Sequence, residues 1–216
     1  MKKFAVVIAG CGVKDGAEIH EAVLTLLAIK KHGAEYEIFA PDIMQHHVID
    51  HYTGNEVNEK RNVLSEAARI ARGRIKPLSK FQARSFDALV FPGGFGVAKN
   101  LCTYAFDGCD CVINPDVEKA VKDMVSLQKP IGAMCISPVL LSKILGNVEV
   151  TVGDDESTIS DIKRMGANHK NTNHGEVVVD TQRLIYTTPC YMLDADIVDI
   201  EKGTSNLIGK IINDLN

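Results

Sequence analysis

Short, uninterrupted apolar runs alternate with longer amphipathic stretches along this chain, and that alternation restricts the fold more than any other feature. Phe4–Ala9 (FAVVIA) is apolar throughout, as expected of a strand buried on both faces. Further strands are expected at Tyr36–Ala40, Asp87–Phe91, Pro130–Met134 and Val148–Val152, with Val177–Asp180 and Leu184–Thr188 as a pair. Helices are expected at Glu18–His32, Val63–Arg72, Pro115–Leu127, Ser137–Leu145, Ser157–Met165 and Leu207–Leu215. In the first of these, Ile19, Val23, Leu26 and Leu27 form a stripe, with Ile29 at its edge, expected to face the core. Strands alternating with helices imply a mostly parallel, doubly wound α/β sheet. The 216 residues fit a single domain, 1–216, with 42–86 and 97–115 as insertions.

Composition narrows the function classes. A hydrophobic fraction of 45% supplies a full core. A net charge of −4 argues against a generally basic nucleic-acid binder and gives no reason for attraction to an anionic membrane. No apolar run approaches the roughly 20 residues of a membrane-spanning helix. The opening Met1-Lys2-Lys3 imitates the charged head of an export signal. The apolar run behind it is short, however, and Gly10-Cys11-Gly12 interrupts it, so a buried first strand and a cytoplasmic location are expected. The six cysteines are then expected to be reduced.

In open α/β sheets the site lies beyond the carboxyl ends of the strands. Three segments end strands there: 10–21, 92–96 and 135–138. In Pro130-Ile-Gly-Ala-Met-Cys135-Ile-Ser-Pro138 a strand runs into one cysteine and a helix follows, the arrangement of a nucleophile elbow. Ala133 and Ser137 supply the small neighbours such a turn needs, and the helix N-terminus is expected to favour the thiolate. Phe91-Pro-Gly-Gly94-Phe-Gly96 lets backbone N–H groups approach a substrate, with Gly93 as a binding position. The N–H groups of Gly94 and Ile136 are the candidate oxyanion hole. Neither glycine cluster completes a phosphate-loop or dinucleotide fingerprint. Glu18 and Glu21 lie near one face at a helix start, where capping competes with acid–base chemistry as their role.

Several motifs together resemble the ElbB family of the PfpI/ThiJ superfamily. They are the strand–Gly–Cys–Gly opening, Glu18-Ile-His-Glu21, Phe-Pro-Gly-Gly-Phe-Gly with Ala98-Lys-Asn-Leu101, Met-Cys-Ile-Ser-Pro and Thr187-Thr-Pro-Cys-Tyr-Met192. These are isoprenoid-biosynthesis proteins with an amidotransferase-like domain, and the likeness spans essentially the whole chain. It implies a flavodoxin-like three-layer sandwich, of class I glutamine amidotransferase type, with Cys135 on the elbow. It further implies a glutamate of the first helix against the sulfur, with Glu21 preferred and Glu18 as the neighbouring candidate.

The resemblance also implies a glyoxalase III-like lyase needing no cofactor, acting on a small 2-oxoaldehyde, with a link to isoprenoid biosynthesis. On this reading there is no metal, glutathione or nucleotide, no nucleic-acid or membrane partner, and a homodimer is expected. Two rivals use the same cysteine: a redox-sensing stress protein and an amidotransferase-like subunit. Superfamily proteases often carry histidine where Ile136 stands. His174-Gly-Glu176 spells an amidotransferase dyad but lies close after the elbow, before a strand rather than beyond one. His46, His47 and His51 are read as a solvated loop, and Cys102, Cys109 and Cys111 lack the paired spacing of a zinc site.

Overall fold

The computed structural model describes residues 1–216. Its strands are β1 (Lys3–Val7), β2 (Glu35–Ala40), β3 (Ile75–Pro77), β4 (Ala88–Phe91), β5 (Ile131–Met134), β6 (Glu149–Val150), β7 (Asn168–His169), β8 (Val178–Asp180) and β9 (Ile185–Thr188). Its helices are α1 (Ile19–Lys31), α2 (Val63–Ile70), α3 (Tyr104–Asp107), α4 (Pro115–Ser126), α5 (Pro138–Leu145), α6 (Glu156–Arg164) and α7 (Ile197–Asp214). Seven strands form one sheet in the order β3-β2-β1-β4-β5-β9-β8. All neighbours in it run parallel except β8 and β9. The topology is the α/β flavodoxin-like sandwich expected from the sequence.

The continuous apolar strands serve two cores. In β1 and just beyond it, Phe4, Val6 and Ile8 face α1, α2 and α7, while Ala5, Val7 and Ala9 face the layer of α4, α5 and α6. Successive side chains of a strand point to opposite faces, so a strand covered on both must be apolar at every position. Gly132 in β5 lets α7 come close: a Cβ there would lie 2.8 Å from Leu207 Cδ2 and 3.2 Å from Ile211 Cδ1.

Three local expectations are corrected. Of the α1 stripe only Leu26, with Ile29 at its edge, faces inward. Ile19, Val23 and Leu27 are exposed, and the buried face is Glu21, Ala22, Thr25, Leu26, Ala28 and Ile29. Small side chains let α1 lie close to the sheet and α7, where Thr25 Oγ1 reaches Met134 Sδ at 3.4 Å. The last helix starts ten residues before Leu207. A capping box of Asp196 and Asp199 begins it, which outweighs the weak helix formers at 203–206. The strand expected at Val148–Val152 is only two residues long and pairs with β7 outside the main sheet.

Gly132→Val should overpack the β5–α7 contact and lower the unfolding free energy by about 1–3 kcal/mol. Urea unfolding of the variant beside the parent checks this.

Candidate active site

The site is assembled where β1, β4, β5 and β9 end. At β5 the chain turns through Cys135 with φ +57°, a left-handed conformation that side chains rarely adopt. Neighbouring bonds hold it there. The Cys135 N–H donates to Thr188 O at 3.1 Å, Ser137 N–H to Met134 O at 2.9 Å, and Ser137 Oγ–H to Pro92 O at 2.8 Å. Helix α5 starts at Pro138, so residues 135–137 form a strained elbow between strand and helix.

Facing the elbow is the N-terminal end of α1. Glu18 is its N-cap, and its carboxylate accepts the Glu21 N–H at 2.7 Å. The Glu18 N–H donates to Gly93 O at 3.0 Å and ties the start of α1 to the β4 loop. Glu21 is fully buried. Its Oε2 accepts the Gly93 N–H at 2.8 Å, its Oε1 accepts the Tyr191 N–H at 3.3 Å, and the Cys135 sulfur lies beside the same carboxyl. Gly93 makes this contact sterically feasible. A Cβ there would sit 2.5 Å from Cys135 Cβ, 2.6 Å from Glu21 Oε2 and 2.9 Å from Cys135 Sγ.

Burial sets the protonation. Removal from water, with the charge of Glu18 beside it, pushes the Glu21 carboxyl up to about 7. Burial, and then the charge of Glu21, push the Cys135 thiol well above its ordinary value. The thiolate expected from the helix N-terminus is therefore not the resting form. The N–H groups of Gly94 and Ile136 oppose that rise by pointing at the sulfur, but desolvation is the larger effect. The resting pair is a thiol and a carboxyl that titrates near neutrality.

Cys135, Glu21, Gly94 and Ile136 thus converge. Two other candidates are placed differently. Glu18 caps α1 and acts on the Glu21 carboxyl through its charge. The Gly93 N–H is bonded to Glu21 rather than open to a substrate oxygen, so its contribution is the space its missing side chain leaves. His174 and Glu176 do not join the site: His174 Nδ1 faces Asp199 Oδ2 at 3.9 Å, and Glu176 Oε2 accepts the Asn173 N–H. His46 packs tilted and His47 edge-on against Phe106, and His51 Nε2 accepts the Lys14 N–H. No group of three or more His, Cys, Asp or Glu side chains is placed to hold a metal ion.

Sequence reasoning missed two positions. Tyr191 supplies a donor to Glu21 and its hydroxyl meets His20 Nδ1 at 2.8 Å. Asn100 is buried and binds Ala9 O, Asp15 O and the His46 N–H, joining three loops at the strand ends. Both lie in stretches the motifs had marked, but backbone partners leave no signature in residue type.

The model of the DJ-1/PfpI family matches residues 6–194. The chain belongs to the DJ-1/PfpI family. A mitochondrial ES1 protein homolog of Rattus norvegicus is 44% identical over 97% of this chain and 83% of its own length. The human glutamine amidotransferase-like class 1 domain-containing protein 3, mitochondrial, is 45% identical over 97% of this chain and 82% of its own length. The crystal structure of an isoprenoid biosynthesis protein with an amidotransferase-like domain from Ehrlichia chaffeensis superposes with TM-score 0.91 at 37% identity, covering 98% of this chain and 99% of that one. The mitochondrial relatives overturn the expected cytoplasmic location. The short apolar opening that motivated it is the first strand of the DJ-1/PfpI sheet. No helix is long and apolar enough to cross a membrane.

In this DJ-1/PfpI chain the raised Glu21 value makes stability depend on pH. The native state holds the Glu21 proton more tightly than the unfolded chain. The contribution is therefore fully present below the ordinary carboxyl value of 4.5 and is lost as pH rises through about 7. That interval corresponds to roughly 3 kcal/mol. Urea unfolding at about pH 5 and about pH 8 should show the parent losing stability across the interval by about that much, and Glu21→Gln losing far less.

Proposed function

We propose that the chain is an ElbB-type member of its family and acts as a cofactor-independent glyoxalase, converting methylglyoxal to lactate and glyoxal to glycolate. The observation that carries this reading is the buried Cys135–Glu21 pair around Gly93: a nucleophile lies beside a carboxyl poised to exchange a proton near neutral pH. Access supports it as well. Cys135 is 8% exposed and Glu21 0%, a burial that suits a small substrate.

The ionised Glu21 takes the Cys135 proton as the sulfur adds to the aldehyde carbon. The oxygen that gains charge faces the N–H groups of Gly94 and Ile136 and is then protonated, giving a hemithioacetal. Glu21 removes the hydrogen of that carbon and returns it to the neighbouring carbon, leaving a thioester. Water hydrolyses the thioester, frees the thiol and releases the 2-hydroxy acid. The net change is addition of one water to the oxoaldehyde.

Purified protein incubated with methylglyoxal, glyoxal and glutamine, with lactate, glycolate and ammonia followed, tests this. Lactate and glycolate should form without ammonia, and Cys135→Ser should abolish both. Glu21→Gln should lower turnover by about 10²–10⁴-fold, the usual loss for a general base. Turnover at the parent rate in Glu21→Gln, or ammonia released from glutamine, contradicts the reading.

A further inference from the structure

We propose that His20 and Tyr191 are positioning residues for Glu21: the hydrogen bond between their side chains clamps the turn after β9 onto α1 and so holds the Tyr191 N–H on the Glu21 carboxyl. The inference deepens, and rests on, the reading of Glu21 as the group that carries the proton. The Tyr191 hydroxyl meets His20 Nδ1 at 2.8 Å, with the two rings 6.0 Å apart and tilted at 45°. His20 is exposed on α1, one residue before the buried Glu21. Consecutive side chains of α1 thus take hold of one residue: His20 meets the hydroxyl of Tyr191, and Glu21 Oε1 accepts its N–H at 3.3 Å. An N–H bond of that length is at the weak end of the range and depends on what holds its donor in place.

The turn has few other ties to α1. It is the single turn Cys190–Met192, closed by Met192 N–H to Pro189 O at 3.0 Å and by Leu193 N–H to Cys190 O at 3.2 Å. Cys190 is left-handed, with φ +44°, a strained conformation that persists only where the surroundings over-determine it. On the α7 side, close packing does this. A Cβ on Gly203 would lie 3.3 Å from Thr188 Oγ1 and 3.4 Å from Cys190 Sγ. On the α1 side the hydrogen bonds are the two made by Tyr191. The same segment also holds the elbow, because Thr188 O accepts the Cys135 N–H at 3.1 Å. Residues 188–191 therefore place both members of the reacting pair through their backbone.

The clamp bears on the proton. Glu21 is faced by Glu18 from its own helix, by Cys135 from the elbow, by the Gly93 N–H from the loop after β4, and by Tyr191 with the Cys190 thiol from the turn. Burial, and then the charge of Glu18, raise the Glu21 value, while the N–H groups of Gly93 and Tyr191 lower it. A hydrogen bond to a carboxylate favours its charged form. Release of the turn removes one of the two backbone donors, so Glu21 keeps its proton to higher pH and less of it is ionised at neutrality.

Tyr191→Phe tests this, since it keeps the ring and the N–H and deletes only the hydroxyl. In a carbon-13 NMR titration it should raise the Glu21 carboxyl midpoint by about half a pH unit, and His20→Leu should do the same. The double variant should shift no further than either single one, because both delete one bond. His20→Asn is uncharged and can set a polar atom where Nδ1 stands, so it should restore the parent midpoint. The rising limb of kcat against pH with methylglyoxal should move up with the midpoint, at little change in KM. Absence of turnover in the parent contradicts the functional reading alone, and the midpoints still decide the clamp. An unchanged midpoint in folded Tyr191→Phe and His20→Leu, or single shifts that add in the double variant, overturns the proposal. His20 is exposed, so His20→Leu beside His20→Asn decides if Tyr191→Phe fails to fold.

Discussion

The site depends on one buried contact, the carboxyl of Glu21 against the thiol of Cys135. Two acidic groups placed together out of water do not readily both ionise, so the proton between them is held at neutral pH. Three features keep that pair together. Gly93 leaves the space a side chain would fill, and its N–H anchors one carboxyl oxygen. Tyr191 N–H anchors the other. The elbow at Cys135 holds the sulfur beside Gly93, at the expense of a left-handed backbone. Such strain costs on the order of 1–3 kcal/mol and persists only where the surroundings over-determine it.

The loops around this contact behave as one interlocked unit. Glu18 N–H bonds Gly93 O, Gly96 N–H bonds Gly16 O, and Phe95 N–H bonds Val13 O, so the loops after β1 and β4 are laced together. Asn100 ties the same region to the loop after β2. The wall of the site is therefore largely preformed.

The parallel sheet and the elbow were legible because their signals are local. An apolar strand, small neighbours and an abrupt helix are all written within nine residues around Cys135. The inward face of α1 was not. Periodicity counts hydrophobicity, and it selected Ile19, Val23 and Leu27, which are exposed, over Ala22, Thr25 and Ala28, which fit the close approach to the sheet. Glu21 was visible as a carboxylate at a helix start. Its separation from Glu18 was not, because i, i+3 spacing puts both on one face and only the tertiary contacts make one a cap and the other a buried partner of sulfur. The state of Cys135 was misjudged for a related reason. A helix N-terminus is local and readable, whereas desolvation depends on everything packed around the thiol.

The central claim concerns one proton on one carboxyl. The most direct measurement is a carbon-13 NMR titration of the Glu21 side-chain carboxyl in folded protein, assigned by comparison with Glu21→Gln. The account predicts a midpoint of about 7, falling in Glu18→Gln when the neighbouring charge is removed. A Glu21 midpoint at the ordinary carboxyl value of 4.5 would contradict it.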